Sequence, residues 1–229
     1  MGTEGDQGQT AVGGGPERPL VRLGWIVVAG IADPAQDELI QAVIRHVHHA
    51  LQSQFPQYHW EMPLFRRPIY PPIGTTLDPL PLLELGAEEK LHRQLDLALV
   101  VVPNKLTPRT RTFVTGVPSS ALETAVISLA RFMERADPAA GIAGLALHLL
   151  GHLLGAGHES QGVTEASADP DRIRVQDYSE STAGLIRERL DLVHYANFMA
   201  TLGVMAGAFG GNLEDESEIK AVLLFDEET

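Results

Sequence analysis

Three histidines lie close together in the segment HLLGHLLGAGH, which runs from His148 to His158. Residues four apart share one face of a helix, so His148 and His152 can direct their imidazoles at a common point. Gly155 can then end the helix, because glycine enters left-handed backbone geometry at little cost, and the returning chain brings His158 to the same point. Three neutral imidazoles with a fourth position open are typical of a catalytic Zn²⁺ site.

The residue that follows the first histidine is Leu149. Zinc peptidases with this histidine spacing carry glutamate there, which takes a proton from water and delivers it to the leaving amine. Leucine has no lone pair for that role, and general acid–base help is typically worth about 10²- to 10⁴-fold in rate. Because that glutamate is not a metal ligand, the segment predicts a zinc site that lacks its usual base.

Nearby carboxylates offer a substitute base. Glu159 directly follows the third histidine, and Glu165, Asp169 and Asp171 come shortly after it. Glu159 could instead accept a hydrogen bond from a ligand histidine and fix its orientation. The simpler alternative is a solvated acidic loop, and the simpler alternative for the histidines themselves is a buried helix whose imidazoles form hydrogen bonds within a metal-free core.

The composition narrows the classes of partner. The chain has 229 residues, a formal net charge of -13 and no cysteine. The acidic balance argues against nucleic acid and against an anionic membrane as partners, and leaves a peptide or a protein as the candidate ligand. Without thiolates, any metal must be held by histidine and carboxylate. The absence of cysteine and of a secretory signal favours a cytoplasmic location. The oligomeric state is left open.

The order of the predicted elements favours an α/β (α+β) fold in which helices pack on a mixed, twisted sheet. Apolar runs predict strands at 20–30, 58–62, 97–102, 113–117 and 124–127, and helical periodicity predicts helices at 34–54, 80–95, 138–154 and 181–200. In the second helix Leu82, Leu83, Leu91 and Leu95 are expected to face inward. Residues 63–81 are expected to form an irregular loop. The histidine helix is apolar nearly all round, so we expect it to be buried, with the site in a cleft beneath an exposed edge strand.

Two ends flank one domain. Residues 1–18 are predicted to be a disordered tail, and residues 212–229 an acidic tail. Residues 19–211 between them are predicted to form a single domain, divided into an N-terminal subdomain (19–158) and a small helical C-terminal subdomain (159–211).

The motif and layout resemble the metzincin clan of zinc peptidases, and among them the archaemetzincins. The clan signature is HExxHxxGxxH, and here it is HLLGHLLGAGH, with a similar upstream stretch at Gly116–Phe132. The resemblance implies a zincin-like fold with an active-site helix, in which His148, His152 and His158 bind zinc. It also implies a methionine turn, for which Met199 and Met205 are candidates. Tyr195 could donate a hydrogen bond to a substrate oxyanion, and the simpler alternative is a buried tyrosine whose hydroxyl lies at the rim.

This chain departs from the archaemetzincin pattern at Leu149 and in lacking the cysteine cluster that holds a second zinc. We therefore expect a zinc-binding, metzincin-like protein that is a degenerate or catalytically impaired metallopeptidase. An active hydrolase with a relocated base, and a metal-free binding or scaffold protein, are the two alternatives.

Overall fold

The computed structural model describes residues 18–28, 33–68, 75–107, 113–165 and 172–193. In chain order the elements are β1 (Leu20–Val28), α1 (Pro34–Gln54), β2 (His59–Glu61), β3 (Leu64–Arg67), α2 (Pro79–Arg93), β4 (Leu97–Val102), β5 (Gly116–Ser119), β6 (Thr124–Ser128) and α3 (Pro138–Leu153). A further helix, α4, covers residues 180–193. The predictions for the two tails (Arg18 excepted) and for Tyr195, Met199 and Met205 lie outside the described residues.

The strands form one mixed sheet in the order β2-β1-β4-β6-β5, with β3 also pairing with β1. β1 pairs in parallel with β2, β3 and β4, and β4 pairs in parallel with β6. β5 is antiparallel to β6 and is the last strand of the sheet at that end. This arrangement confirms the predicted mixed sheet, and it places β5 at an edge beside α3.

The sheet lies between two helical layers, as the alternation along β4 illustrates. Leu97, Leu99 and Val101 belong to the core formed with α1, α3 and α4. Ala98, Val100 and Val102 belong to the core formed with α2 on the other face. Because all six β4 residues are buried, this strand has the continuous apolar run of a strand covered on both faces. The predicted burial of α3 is also confirmed, since Gly141–Leu147 are all buried.

Asp-Pro pairs begin two of the helices. In α1 and α3 the aspartate carboxylate, at Asp33 and Asp137, accepts a hydrogen bond from a backbone N–H in the first turn. The cap of α4 is Ser179. The Thr182 N–H donates to Ser179 Oγ at 3.1 Å, whereas the Ser181 hydroxyl donates to Glu159.

Three further expectations need correction. The predicted loop at 63–81 contains β3, which is a strand only because β1 offers it a pairing edge. The predicted strand at 113–117 begins instead at Gly116 and runs through Ser119. Leu91 is 77% exposed rather than inward. Leu91 lies nine residues after the buried Leu82, and nine residues place it on the opposite side of the helix. The buried position near the end of α2 is instead Glu89, which pairs with Arg67 and Arg93.

None of the helices in the described segments combines the length and hydropathy that crossing a bilayer requires.

Candidate metal centre

The three histidines of the motif converge on one point. His148 and His152 lie one turn apart on α3, and His158 follows the end of that helix. The Nε2 atoms of His148 and His152 are 3.0 Å apart, and those of His152 and His158 are 3.2 Å apart. Tetrahedral zinc with Zn–N bonds of about 2.0–2.1 Å separates its ligand nitrogens by about 3.3–3.4 Å. The spacing therefore suits three ligands of one small cation, and the three residues form a group able to hold a metal ion.

The turn after α3 is made as the sequence predicts. Gly155 has φ +87, in the left-handed region that favours glycine. The Ala156 N–H donates to the Gly151 carbonyl at 2.8 Å, which closes the turn over the helix end. The chain therefore reverses within a few residues, and His158 reaches the side of α3 that carries the other two imidazoles.

Backbone carbonyls fix the orientation of the two helical imidazoles. His148 Nδ1 is 2.8 Å from the Val163 carbonyl oxygen, and His152 Nδ1 is 2.8 Å from that of Ala156. A carbonyl only accepts, so each Nδ1 carries the proton and each neutral ring keeps its lone pair on Nε2. Two lone pairs facing each other at 3.0 Å repel, and a cation placed between them removes that repulsion. The donor set thus fits a divalent metal ion.

Burial keeps these imidazoles in the form that binds a metal. It lowers the pKa of His148 by disfavouring the imidazolium, an effect that the hydrogen bond to Val163 partly opposes and that His152 and His158 reinforce. The pKa of His152 is lowered by burial and by His158 for the same reasons. Both rings are therefore neutral at pH 7, the state that ligation requires.

The centre opens into a cleft of about 830 Å³ beside the edge strand. The β5 side contributes Thr115, Gly116 and Pro118, and residues 172–174 and 176 also line the cleft. This confirms the expectation of a cleft beneath an edge strand. The arrangement leaves the histidines accessible from a space large enough for several residues of a peptide.

Leu149 lines the same cleft and is only 2% exposed. Its Cδ1 atom lies 2.7 Å from the position that a Cβ on Gly116 would take. Glycine at 116 therefore makes room for the leucine, and the two residues pack α3 against β5. The position that carries the general base in the resembled family is occupied here by an aliphatic side chain fitted to its surroundings.

Glu159 is held by hydroxyl groups rather than facing the cleft. Its Oε1 accepts from Ser179, Ser181 and Thr182 at 2.8, 3.1 and 2.7 Å, and its Oε2 accepts from Thr164 at 3.4 Å. These bonds, that of Thr182 first, lower the pKa of the Glu159 carboxyl. Glu159 thus ties the start of α4 to the loop after the motif. Its predicted role as hydrogen-bond acceptor for a ligand ring is filled at His148 and His152 by carbonyls.

Glu165 does line the cleft, where it pairs with Arg172 at 3.3 Å. Asp169 and Asp171 lie outside the described residues. Sequence reasoning missed three arginines that line the cleft, namely Arg131, Arg172 and Arg174. The alternation of basic and apolar residues from Arg172 to Val175 was a usable signal, because it predicts an extended segment with one basic face.

Comparison with known proteins gives no match among protein-family models and none among curated sequences. Solved structures do match. An archaemetzincin from Methanopyrus kandleri is 17% identical over 77% of this chain and 98% of its own, with a TM-score of 0.62. A zinc-dependent peptidase from Methanocorpusculum labreanum is 16% identical over 72% of this chain and 99% of its own, with a TM-score of 0.52. For a metalloproteinase-II from Bacteroides fragilis the identity is 13%, the coverage 76% and 55%, and the TM-score 0.51.

These identities are low enough that the likeness concerns the fold, while substrates and reactions are properties of the matched proteins themselves. The chain therefore has an archaemetzincin-like, metzincin-type fold, with a three-histidine group, two on α3 and one just after it, that is capable of binding zinc.

Proposed function

We propose that this protein binds Zn²⁺ through His148, His152 and His158 and is a degenerate, catalytically impaired relative of the metallopeptidases. The observation that carries the metal assignment is that the Nε2 atoms lie close together while the Nδ1 atoms of His148 and His152 are already hydrogen-bonded to carbonyls. The observation that carries the impairment is Leu149, buried against Gly116 in the cleft.

Zinc bound at this centre would act as a Lewis acid that activates water and polarises a carbonyl. The remaining work of peptide hydrolysis is proton transfer, and that must come from the chain. Leu149 can neither accept nor donate a proton, and its apolar side chain disfavours charge at that position. The cleft can therefore hold and orient a peptide beside the metal centre without an efficient route for the proton. We accordingly propose a peptide or protein ligand for the cleft.

Metal analysis of the purified full-length chain tests the first part. We expect about one zinc per chain in the native protein and a loss of zinc in His152→Ala. His92→Ala is the matched control, because His92 is an exposed helical histidine that does not line the cleft. A native protein that is free of metal after exposure to zinc would refute the proposal and favour the metal-free scaffold.

Glu165 supports a second candidate, an active hydrolase with a relocated base, because its carboxylate lines the cleft. A digest of a peptide library by the zinc-loaded chain separates the two. We expect no turnover. Turnover that is lost in Glu165→Gln or in Glu159→Gln, with zinc retained, would establish the relocated base and overturn the impairment.

A cytoplasmic location is also proposed, from the cysteine-free composition.

A further inference from the structure

Cationic side chains are concentrated in the cleft of an otherwise acidic protein. The formal net charge of the chain is -13. Among the described residues, the cleft is lined by three arginines, Arg131, Arg172 and Arg174, and by one carboxylate, that of Glu165. The charged side chains there thus leave a surplus of two positive charges, and a divalent metal would add two more. A cleft of one sign focuses the field within it and attracts ligands of the other sign.

The backbone at Arg174 packs directly against α3, the helix that carries His148 and His152. A Cβ added to Gly144 would lie 2.4–2.8 Å from three backbone atoms of Arg174, so the two backbone segments are in direct contact. Gly144 is one turn before His148 on α3. The neighbouring Ile173 carbonyl accepts from the Arg135 guanidinium at 3.2 Å, and Ile173 and Val175 pack against the core. The basic residue between them is therefore fixed at the cleft wall by its anchored neighbours.

Two of the three guanidinium groups are free to receive a ligand. Arg172 is paired with Glu165. Arg131 and Arg174 are exposed and take part in no ion pair within the segments that the structure describes. Both also line a second cavity of about 540 Å³, which shares Ile173 with the first. The pair thus lies where the two cavities meet, so a ligand in the cleft can extend from the histidines past both arginines towards the second cavity.

We propose that this cleft binds an acidic peptide in an extended form, with carboxylate side chains at Arg131 and Arg174 and the peptide backbone over the histidine centre. Guanidinium groups bind carboxylates through paired N–H donors, which gives orientation as well as attraction. The inference rests on the proposed function, since that function places a peptide in this cleft, and it adds the class of peptide.

The test measures the affinity of the zinc-loaded, full-length chain for fluorescent peptides of equal length with blocked termini. One peptide carries glutamates, one glutamines and one lysines at the same positions, and a single-stranded oligonucleotide of matched charge serves as a competing polyanion. The variant is Arg131→Gln with Arg174→Gln. The matched control is Arg18→Gln with Arg45→Gln, which removes the same charge from exposed positions that do not line the cleft.

An exposed ion pair contributes up to about fivefold in affinity. We therefore expect the glutamate peptide to bind more tightly than the glutamine peptide by up to about twenty-fivefold. The cleft variant, which removes both arginines, should lose most of this preference, and the control should change the affinity less than twofold. The preference should weaken as the salt concentration rises. Equal binding of all three peptides, an affinity that the cleft variant leaves unchanged, or a preference for the oligonucleotide would overturn the proposal.

Zinc content measured on the same samples separates this inference from the proposed function. If zinc is bound but the peptides are not discriminated, the acidic-peptide assignment fails and the metal assignment stands. If zinc does not bind while the acidic peptide still binds through Arg131 and Arg174, the metal assignment fails and the ligand class stands.

Discussion

Replacing Leu149 by glutamate should turn this cleft into a working peptidase site. Leu149 lies on α3 between the two helical histidines and lines the cleft that they face. A carboxylate at that position can take a proton from water beside the metal centre, which leucine cannot do. The three histidines and the carbonyls that orient them are left unchanged by the substitution, so zinc content should be unaffected.

The magnitude follows from weighing two effects. A positioned general base is worth about 10²- to 10⁴-fold in rate, or about 3–5 kcal/mol of activation free energy. The substitution gives up the burial of a leucine that is 2% exposed, which stabilises the fold by about 1.5–3 kcal/mol. It also places a carboxylate at a largely buried position, which costs about 1–3 kcal/mol more. Since leucine and glutamate have similar helix propensities, α3 should persist. Most domains, with about 5–15 kcal/mol of stability, survive a loss of this size, so the rate gain should be measurable.

The assay compares native protein, Leu149→Glu and Leu149→Gln for cleavage of a quenched fluorescent peptide library at equal zinc occupancy. Glutamine matches glutamate in size and loses the same leucine packing, but it cannot accept the proton at neutral pH. We expect at least a hundredfold rise in cleavage for Leu149→Glu over both others. A folded, zinc-bound Leu149→Glu chain that is no faster than Leu149→Gln would refute the reasoning, because the missing base would then not be what limits this cleft.

The contact between α3 and the Arg174 backbone can be tested with glycine variants. Gly144→Ala should lower the free energy of unfolding by about 1–3 kcal/mol in urea melts, because the added Cβ meets the Arg174 backbone. The control is Gly184→Ala on α4, whose Cβ meets nothing within 4 Å, and it should raise the free energy of unfolding by about 0.5–1 kcal/mol. Equal effects of the two variants would contradict this packing. The pKa values of His148 and His152 are lowered from 6.5, so protons should compete with zinc for these two rings only below about pH 6.5. The zinc-free chain should lose stability as the pH falls from there, because the unfolded chain binds more protons than the folded chain. Zinc titrations and urea melts from pH 7.5 to 5 test this, and a rise in stability on acidification would contradict it.

The local part of the candidate site could be predicted from the sequence. The i, i+4 spacing of His148 and His152 and the glycine at 155 bring the imidazoles to one side of α3, although the Val163 carbonyl that orients His148 was not predicted. The Asp-Pro pairs and the apolar run of β4 are likewise local signals, and the structure follows them. Such features are predictable because their physical cause lies within a few residues of the chain.

The features that the sequence left hidden depend on distant contacts. β3 is a strand because β1 offers it an edge, and its own four residues carry no alternating pattern. Arg174 reaches the cleft because its backbone packs on Gly144, thirty residues earlier. Glu159 looked free to act as a base, and only the fold shows that α4 brings hydroxyl groups to it. In each case the contacting residue is far away in the chain, so the local sequence pattern does not identify it.

Metal binding and proton transfer are separable in this fold, because they depend on different contacts. The rings of His148 and His152 are oriented by the carbonyls of Val163 and Ala156, and His158 is placed by the turn at Gly155, none of which involves residue 149. Residue 149 instead contacts β5 through Gly116. Exchanging a polar base for leucine there removes a charge from a buried position and adds apolar packing, while the histidine geometry is left intact. A substitution at residue 149 can therefore change proton transfer without disturbing the histidine geometry, and leucine there packs α3 against the edge strand.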